Sequence, residues 1–416
     1  MRRNGLSHRI TRTRIPLFIA AAALVLGVVA APAAAAPKPK PPAPAAPTAA
    51  KAWTVMVYID GDNNLEEYVV KDIETELAAL GSNADVNVVC IADRGPGYDK
   101  SRGDWQGTLL YYCTPGMLAD VSSAVADWGE RDMGDPQTLK DFVTWAKANY
   151  PASHYLLAFW DHGYCWYPAY YTIRDETSAG DSLDDDEQVA AMQVVGGVDV
   201  VAWDACQRQM IEVAADWKPF ALAMAGSEDY TNWKGIQYDK VIADLRATPG
   251  MSAQAVSDDI ARTALGDSVT FSSVALDARF TSLLGAVDQW AIALKNGLPA
   301  YRSAYQSAWR NTLGFTDAQE KDLYDAAYQI KAKVADATIK ARCDAVMSAC
   351  LGAITYNWTN GSRTYRNAHG LAIWWPKSAQ YLNPSWTVPD DWAYYRAKEA
   401  LAALTSWDEF LAAYCQ

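Results

Sequence analysis

Runs of apolar, β-branched residues alternate along this chain with stretches of helical spacing, and that alternation restricts its fold more than any other feature. Trp53–Ile59, Val86–Ala92, His154–Trp160 and Val198–Trp203 are apolar almost throughout, not at every second residue. Strands of that kind are buried on both faces. Between them, Leu65, Val69, Ile73, Leu77 and Leu80 fall on one helical face that stops at Gly81. Pro136–Asn149 reads as a helix with proline in its first turn, and Gln207–Trp217 as an amphipathic helix. Thr108–Cys113 and Phe220–Ala225 add short strands, while Gly163–Ala205 holds a long loop. The pattern predicts an α/β fold whose mostly parallel central sheet is covered on both faces. Sites in such sheets form at the carboxyl ends of the strands. That rule points to Asp60, Asp161-His162 and Asp204–Cys206.

After about residue 240 the pattern turns helical. Ala253–Leu265, Arg279–Lys295, Ala318–Ala335, Ala341–Leu351 and Ala393–Tyr414 are predicted helices, with strands at Val269–Leu276 and Leu371–Trp375. The expected organisation is one α/β domain over 52–277 and a helix-rich C-terminal region over 278–416 packed on it.

The N-terminus suggests the compartment. Met1–Arg14 carries five arginines and no acid, Ile15–Ala31 is almost wholly apolar, and small residues follow at Ala33–Ala36. That order is a secretory signal, here 1–36, whose removal leaves the chain secreted or extracytoplasmic with no membrane attachment. Residues 37–51, rich in Pro and Ala, read as a semi-rigid linker. Loss of the five signal arginines takes the formal charge from −13 to −18. An acidic surface of that size argues against nucleic acid or anionic membranes as partners and suits cationic substrates.

Seven cysteines form an odd set, so an exported chain with six paired keeps one free thiol. No C-x-x-C pair is present, which argues against zinc. Cys206 follows a predicted strand and opens a predicted helix, where the helix dipole favours thiolate. Behind the signal stand His154, His162 and His369. Only His162 follows a strand and so reaches the carboxyl edge of the sheet. Asp204 is placed to cap the following predicted helix, a favoured role for Asp. Trp166, Tyr167, Tyr170 and Tyr171 are candidates for an aromatic cleft.

The combination is more specific than its parts. An apolar strand ending in His-Gly (AFWDHG, Ala158–Gly163) precedes one ending in Asp-Ala-Cys (VVAWDAC, Val200–Cys206). This resembles the two-block signature of caspase-like cysteine peptidases. WTVMVYIDGDNNLE (Trp53–Glu66), WDHGYCW (Trp160–Trp166) and AWDACQRQMIEVA (Ala202–Ala214) narrow the resemblance to the clostripain family. The resemblance implies a caspase-like α/β/α sandwich and a cysteine endopeptidase acting on proteins or peptides. Cys206 would be its nucleophile and His162 its proton carrier, with the N–H groups of Gly163 and Cys206 holding the oxyanion. Asp204 would lie in the pocket for the P1 side chain and select Arg or Lys. Relatives carry a second acid in a Gly-Trp-Asp-Tyr-like run. Here Gln237 stands in that place, with Asp229 and Asp239 as possible substitutes.

Family members are cut between the histidine and the cysteine. The one basic residue of Gly163–Ala205 is Arg174, the expected autoprocessing site. No cofactor is required by the sequence. The resemblance admits calcium, for which Asp181–Glu187, five acids in seven residues, offers oxygen ligands. Asp60–Asn64 fails the EF-hand pattern because Leu65 stands where glycine is needed. The alternatives are a catalytically silent peptide- or glycan-binding protein of the same fold, and a cysteine transpeptidase.

Overall fold

The computed structural model describes residues 50–167, 172–264, 269–382 and 391–416. The expected signal and most of the linker lie outside the described residues. In chain order the strands are β1 (Lys51–Gly61), β2 (Val86–Arg94), β3 (Gly107–Tyr112), β4 (Ala126–Gly129), β5 (Ala152–Trp160), β6 (Arg174–Asp175) and β7 (Asp181–Ser182). Then follow β8 (Val200–Asp204), β9 (Ala223–Gly226), β10 (Thr270–Ala275), β11 (Glu320–Asp322), β12 (Ile354–Thr359) and β13 (Ala372–Trp374).

Nine of these form one sheet in the order β12-β10-β9-β8-β5-β1-β2-β3-β4. Its centre, β9-β8-β5-β1-β2, is parallel throughout, as the doubly buried runs predicted. Antiparallel pairs close both sides. Within β1, Met56 and Tyr58 point into one apolar core, while Trp53, Val55, Val57 and Ile59 point into the other. That two-residue alternation puts a core on each face. The helices Pro136–Asn149 and Ile211–Trp217 cover the first core, together with the long helix Ala278–Asn311 and the C-terminal helices. The segment Glu66–Leu80 covers the second, with the helices Tyr238–Ala247 and Ala253–Thr263. The result is an α/β/α sandwich. Among the described residues no helix is long and apolar enough to cross a membrane.

Several expectations need correction. The helix expected from Gln207 begins at Ile211. Gln207 adopts a left-handed φ of 57°. The N–H groups of Gln207 and Gln209 donate to the carbonyls of Asp229 and Ser227, which holds the chain in a turn before it can coil. The single C-terminal helix is three: Asp391–Lys398, Ala400–Leu404 and Trp407–Tyr414. The acidic run opens a helix, Asp185–Val195, where a solvated loop was expected. All seven cysteines are free thiols, so no disulfide framework exists.

Candidate active site

β5 and β8 run parallel with Trp160 opposite Asp204, so Asp161-His162 and Ala205-Cys206 leave the sheet side by side. The Asp161 N–H donates to the Asp204 carbonyl at 3.4 Å. Gly163 lets the two turns approach: a Cβ there would lie 2.4 Å from the Cys206 carbonyl oxygen. His162, Asp204 and Cys206 line one cavity of about 230 Å³. His154 and His369 lie elsewhere, each with Nδ1 against a carboxylate, Asp199 and Asp322.

Cys206 is the one cysteine of seven that is only partly buried. Its environment differs from the expectation. It stands in a turn five residues ahead of the nearest helix, so no helix dipole favours thiolate. Burial of the sulfur pushes the thiol up to about 11, and Asp229, Asp204 and Asp161 act in the same direction. The Thr231 N–H, 3.4 Å from Sγ, works against them. His162 is held below the ordinary imidazole range, first by burial and also by Arg174, with Glu176 opposing. The resting pair is therefore a neutral thiol beside a neutral imidazole. Nε2 of His162 lies 3.0 Å from Oδ1 of Asn64. An amide oxygen only accepts, so Nε2 carries the proton and Nδ1 the free lone pair. Asn64 was missed as a site residue, although it belongs to the quoted DGDNNLE block.

The cavity ends on carboxylates. Asp204 is buried and accepts the Ile236 N–H at 3.1 Å. It therefore does not cap the following helix. Gly235, at φ 51°, makes room for it: a Cβ would meet Oδ1 at 1.9 Å. Neither suggested substitute for the missing acid lines the cavity. Asp229 accepts from Tyr365 Oη and the Thr316 N–H, and Asp239 sits in the first turn of the helix Tyr238–Ala247. Gln237 itself donates to the Thr263 carbonyl. The acids behind Asp204 come instead from the helical segment after β1. Asp72 accepts Trp160 Nε1 at 2.9 Å, and Glu76 accepts the Tyr238 N–H at 3.1 Å. Burial pushes Asp72, Asp204 and Glu76 up to about 7, 8 and 9, with Asp72 also raising Asp204, and Asp72 and Asp204 raising Glu76. A signal was present: Asp72 and Glu76, one helical turn apart, border the apolar stripe of Val69, Ile73 and Leu77. The helix widens into a π turn at Ile73–Leu77, a distortion frequent at functional sites.

The aromatic wall is also different from expectation. Trp166 and Tyr167 are buried in the core, and Tyr170 and Tyr171 lie outside the described residues. Tyr68, Tyr230 and Trp233 line the cavity, with Trp233 stacked on Tyr68 at 5.6 Å.

Arg174 occupies a paired ribbon, β6 against β7, where unpatterned chain was expected. Its N–H donates to Asp161 at 2.6 Å and its carbonyl accepts from Asn63 at 3.3 Å. The neighbouring Ile173 N–H reaches the His162 carbonyl. Four of the five acids of Asp181–Glu187 have separate partners. Asp184 and Glu187 make a capping box, Asp185 pairs with Arg208, and Asp186 with Lys398 and Tyr394.

A parallel-centred sandwich with a thiol and an imidazole at adjoining strand ends defines a caspase-like fold. Within that class, the Clostripain family model matches residues 57–414, and the chain belongs to this family of C11 cysteine proteases. It is 28% identical over 227 residues to Clostripain of Hathewaya histolytica, a match covering 47% of this chain and 43% of that protein. Two solved structures share the fold. One is a secreted C11 cysteine protease from Bacteroides thetaiotaomicron in complex with an irreversible peptide inhibitor (TM-score 0.63, 18% identity, 86% of this chain and 99% of that one). The other is an inactive zymogen C11 protease from Parabacteroides distasonis (TM-score 0.61, 17% identity, 86% and 99%).

Proposed function

We propose that this chain is a secreted cysteine endopeptidase that cleaves proteins or peptides after Arg or Lys. The observation that carries the reading is the cavity itself: the one partly exposed thiol, His162 and the Asp204 carboxylate open into the same space. Substrate binding brings the scissile carbonyl to Sγ of Cys206. Nδ1 of His162 takes the thiol proton as the C–S bond forms, and the N–H groups of Gly163 and Cys206 hold the oxyanion. The same proton passes to the leaving amine as the C–N bond breaks. Water then hydrolyses the thioester through His162. Because the resting pair is neutral, thiolate forms only as substrate arrives. Asn64 positions His162 by fixing its tautomer. Asp204, backed by Asp72 and Glu76, receives the cationic side chain, whose charge relieves the repulsion among the three acids.

Self-cleavage after Arg174 belongs to the same proposal. It requires the β6–β7 ribbon to open first, because the Arg174 peptide is hydrogen-bonded on both sides. The zymogen among the structural relatives is consistent with such a step.

The test is a fluorogenic peptide library diverse at P1, with mature protein and Cys206→Ala in parallel. Turnover confined to wild type and to basic P1 is expected. Equal signals from both proteins would remove the peptidase reading. Release of acyl-transfer products in place of acids would mark a transpeptidase.

A further inference from the structure

Two residues beside the catalytic candidates hold left-handed backbones without being glycine. Gln207, directly after Cys206, has φ 57°, and Cys165, shortly after His162, has φ 46°. Such backbones are strained and persist only where their surroundings enforce them, which is common at functional sites. Here the two side chains converge on one carboxyl group. Glu320 lies in β11, in the C-terminal region, and is completely buried. Its Oε2 accepts from Gln207 Nε2 at 2.8 Å and from the Cys165 thiol at 3.3 Å. The Gln207 amide and the Cys165 sulfur meet at 3.6 Å. We propose that Glu320 is a positioning residue for the peptidase reaction, locking the turn that carries Cys206 to the loop that carries His162. The inference rests on the assignment of those two residues as the catalytic pair.

The fold brings Glu320 there by way of β13. The Ala372 N–H of β13 donates to the Gln209 carbonyl at 3.0 Å, so β13 lies along the nucleophile turn. β11 pairs antiparallel with β13 and presents Glu320 from beyond it. Arg208, in the same turn, donates to the Cys165 carbonyl, so the two segments are tied through the main chain as well.

The chemistry of the lock is that of neutral groups. Burial, with Asp229 and Asp317 nearby, pushes the Glu320 carboxyl well above its usual range and favours the neutral acid. Burial also raises the Cys165 thiol, so its S–H remains a donor. A neutral glutamic acid and a glutamine have nearly the same shape, and each keeps a carbonyl oxygen for both donors. Glu320 is not among the residues that line the cavity. Its loss therefore acts through the two loops and not through contact with substrate.

The test uses mature enzyme and the fluorogenic peptide that wild type turns over fastest, with Cys206→Ala beside it. Glu320→Ala should lower kcat on the order of 100-fold, the size of a small misplacement of reacting groups, and leave KM nearly unchanged. Glu320→Gln should restore most of kcat. Asp325, in the same region, accepts from the Leu313 N–H and from Gln329, and from neither catalytic segment. Asp325→Ala should lower the melting temperature and not kcat. If Glu320→Ala does not fold, Gln207→Ala opens the lock from its other end and should show the same loss of kcat. Wild-type kcat in folded Glu320→Ala or in Gln207→Ala would overturn the lock. So would equal losses in Glu320→Gln and Glu320→Ala, or an equal loss in Asp325→Ala. Turnover by Cys206→Ala would instead overturn the catalytic pair.

Discussion

Two groups of acids stand at the carboxyl edge of one sheet, and they differ in what closes them. Asp204 ends a cavity that opens beside Cys206 and His162, with Asp72 and Glu76 behind it. Asp62, Asp93, Glu130 and Asp175 are instead closed by the β6–β7 ribbon, whose Thr177 hydroxyl sits among them. Burial disfavours ionisation of Asp72, Asp204 and Glu76 in the first group and of Asp62 and Asp93 in the second. The open group suits a cation that comes and goes with substrate. Exposure to the cleft, not acidity, separates the two groups.

That contrast can be broken at its strongest point first. Asp204→Asn should lower kcat/KM on Arg or Lys substrates by ~100- to 1,000-fold. That range corresponds to ~3–4 kcal/mol, a size expected for a buried charge pair broken on one side. Neutral P1 substrates should lose far less. An equal loss on basic and neutral substrates would show that Asp204 supports the fold and not the pocket.

A smaller effect tests the acids behind it. Glu76→Gln is expected to cost roughly tenfold on basic P1 substrates. The pH profile follows from the same shifts. Asp72, Asp204 and Glu76 sit near 7, 8 and 9 without substrate, and only their ionised forms attract a cation. The ratio of kcat/KM for an arginyl substrate over a neutral one should therefore climb between about pH 6 and 9. Taking the ratio cancels the common titration of Cys206 and His162. A ratio that stays level in wild type would exclude these acids from recognition.

The weakest effect concerns the ribbon. Aged wild-type protein should yield a chain ending at Arg174 and another beginning at Asp175, held together by the shared sheet. Cys206→Ala and Arg174→Ala should stay intact, with melting temperatures close to wild type. Terminal sequencing that finds the cut elsewhere would move the processing site away from Arg174.

Much of the fold was legible locally. The doubly apolar strands announced a parallel sheet, and the helix Pro136–Asn149 matches its predicted bounds. Elements with weak patterns escaped: the short β4, half exposed, and the helix Asp185–Val195, whose acidic start resembles a loop. The stretch after Cys206 misled for a different reason. Its amphipathic spacing is genuine, but hydrogen bonds to Ser227 and Asp229 override it until Ile211.

The sequence by itself determined which residues stand at the strand ends. Periodicity and apolar runs act over a few residues, so His162 and Cys206 could be located without any coordinates. What the tertiary structure alone decided is the state and company of those residues. Cys206 is a high-pKa thiol and not a dipole-stabilised thiolate, because buried surroundings and distant acids surround it. The acids behind Asp204 come from positions 72 and 76, far along the chain, and the closed group joins residues 62, 93, 130 and 175. Charge interactions depend on distance through space and on exclusion of water. Neither quantity exists for an unfolded chain, so neither is written in any local pattern.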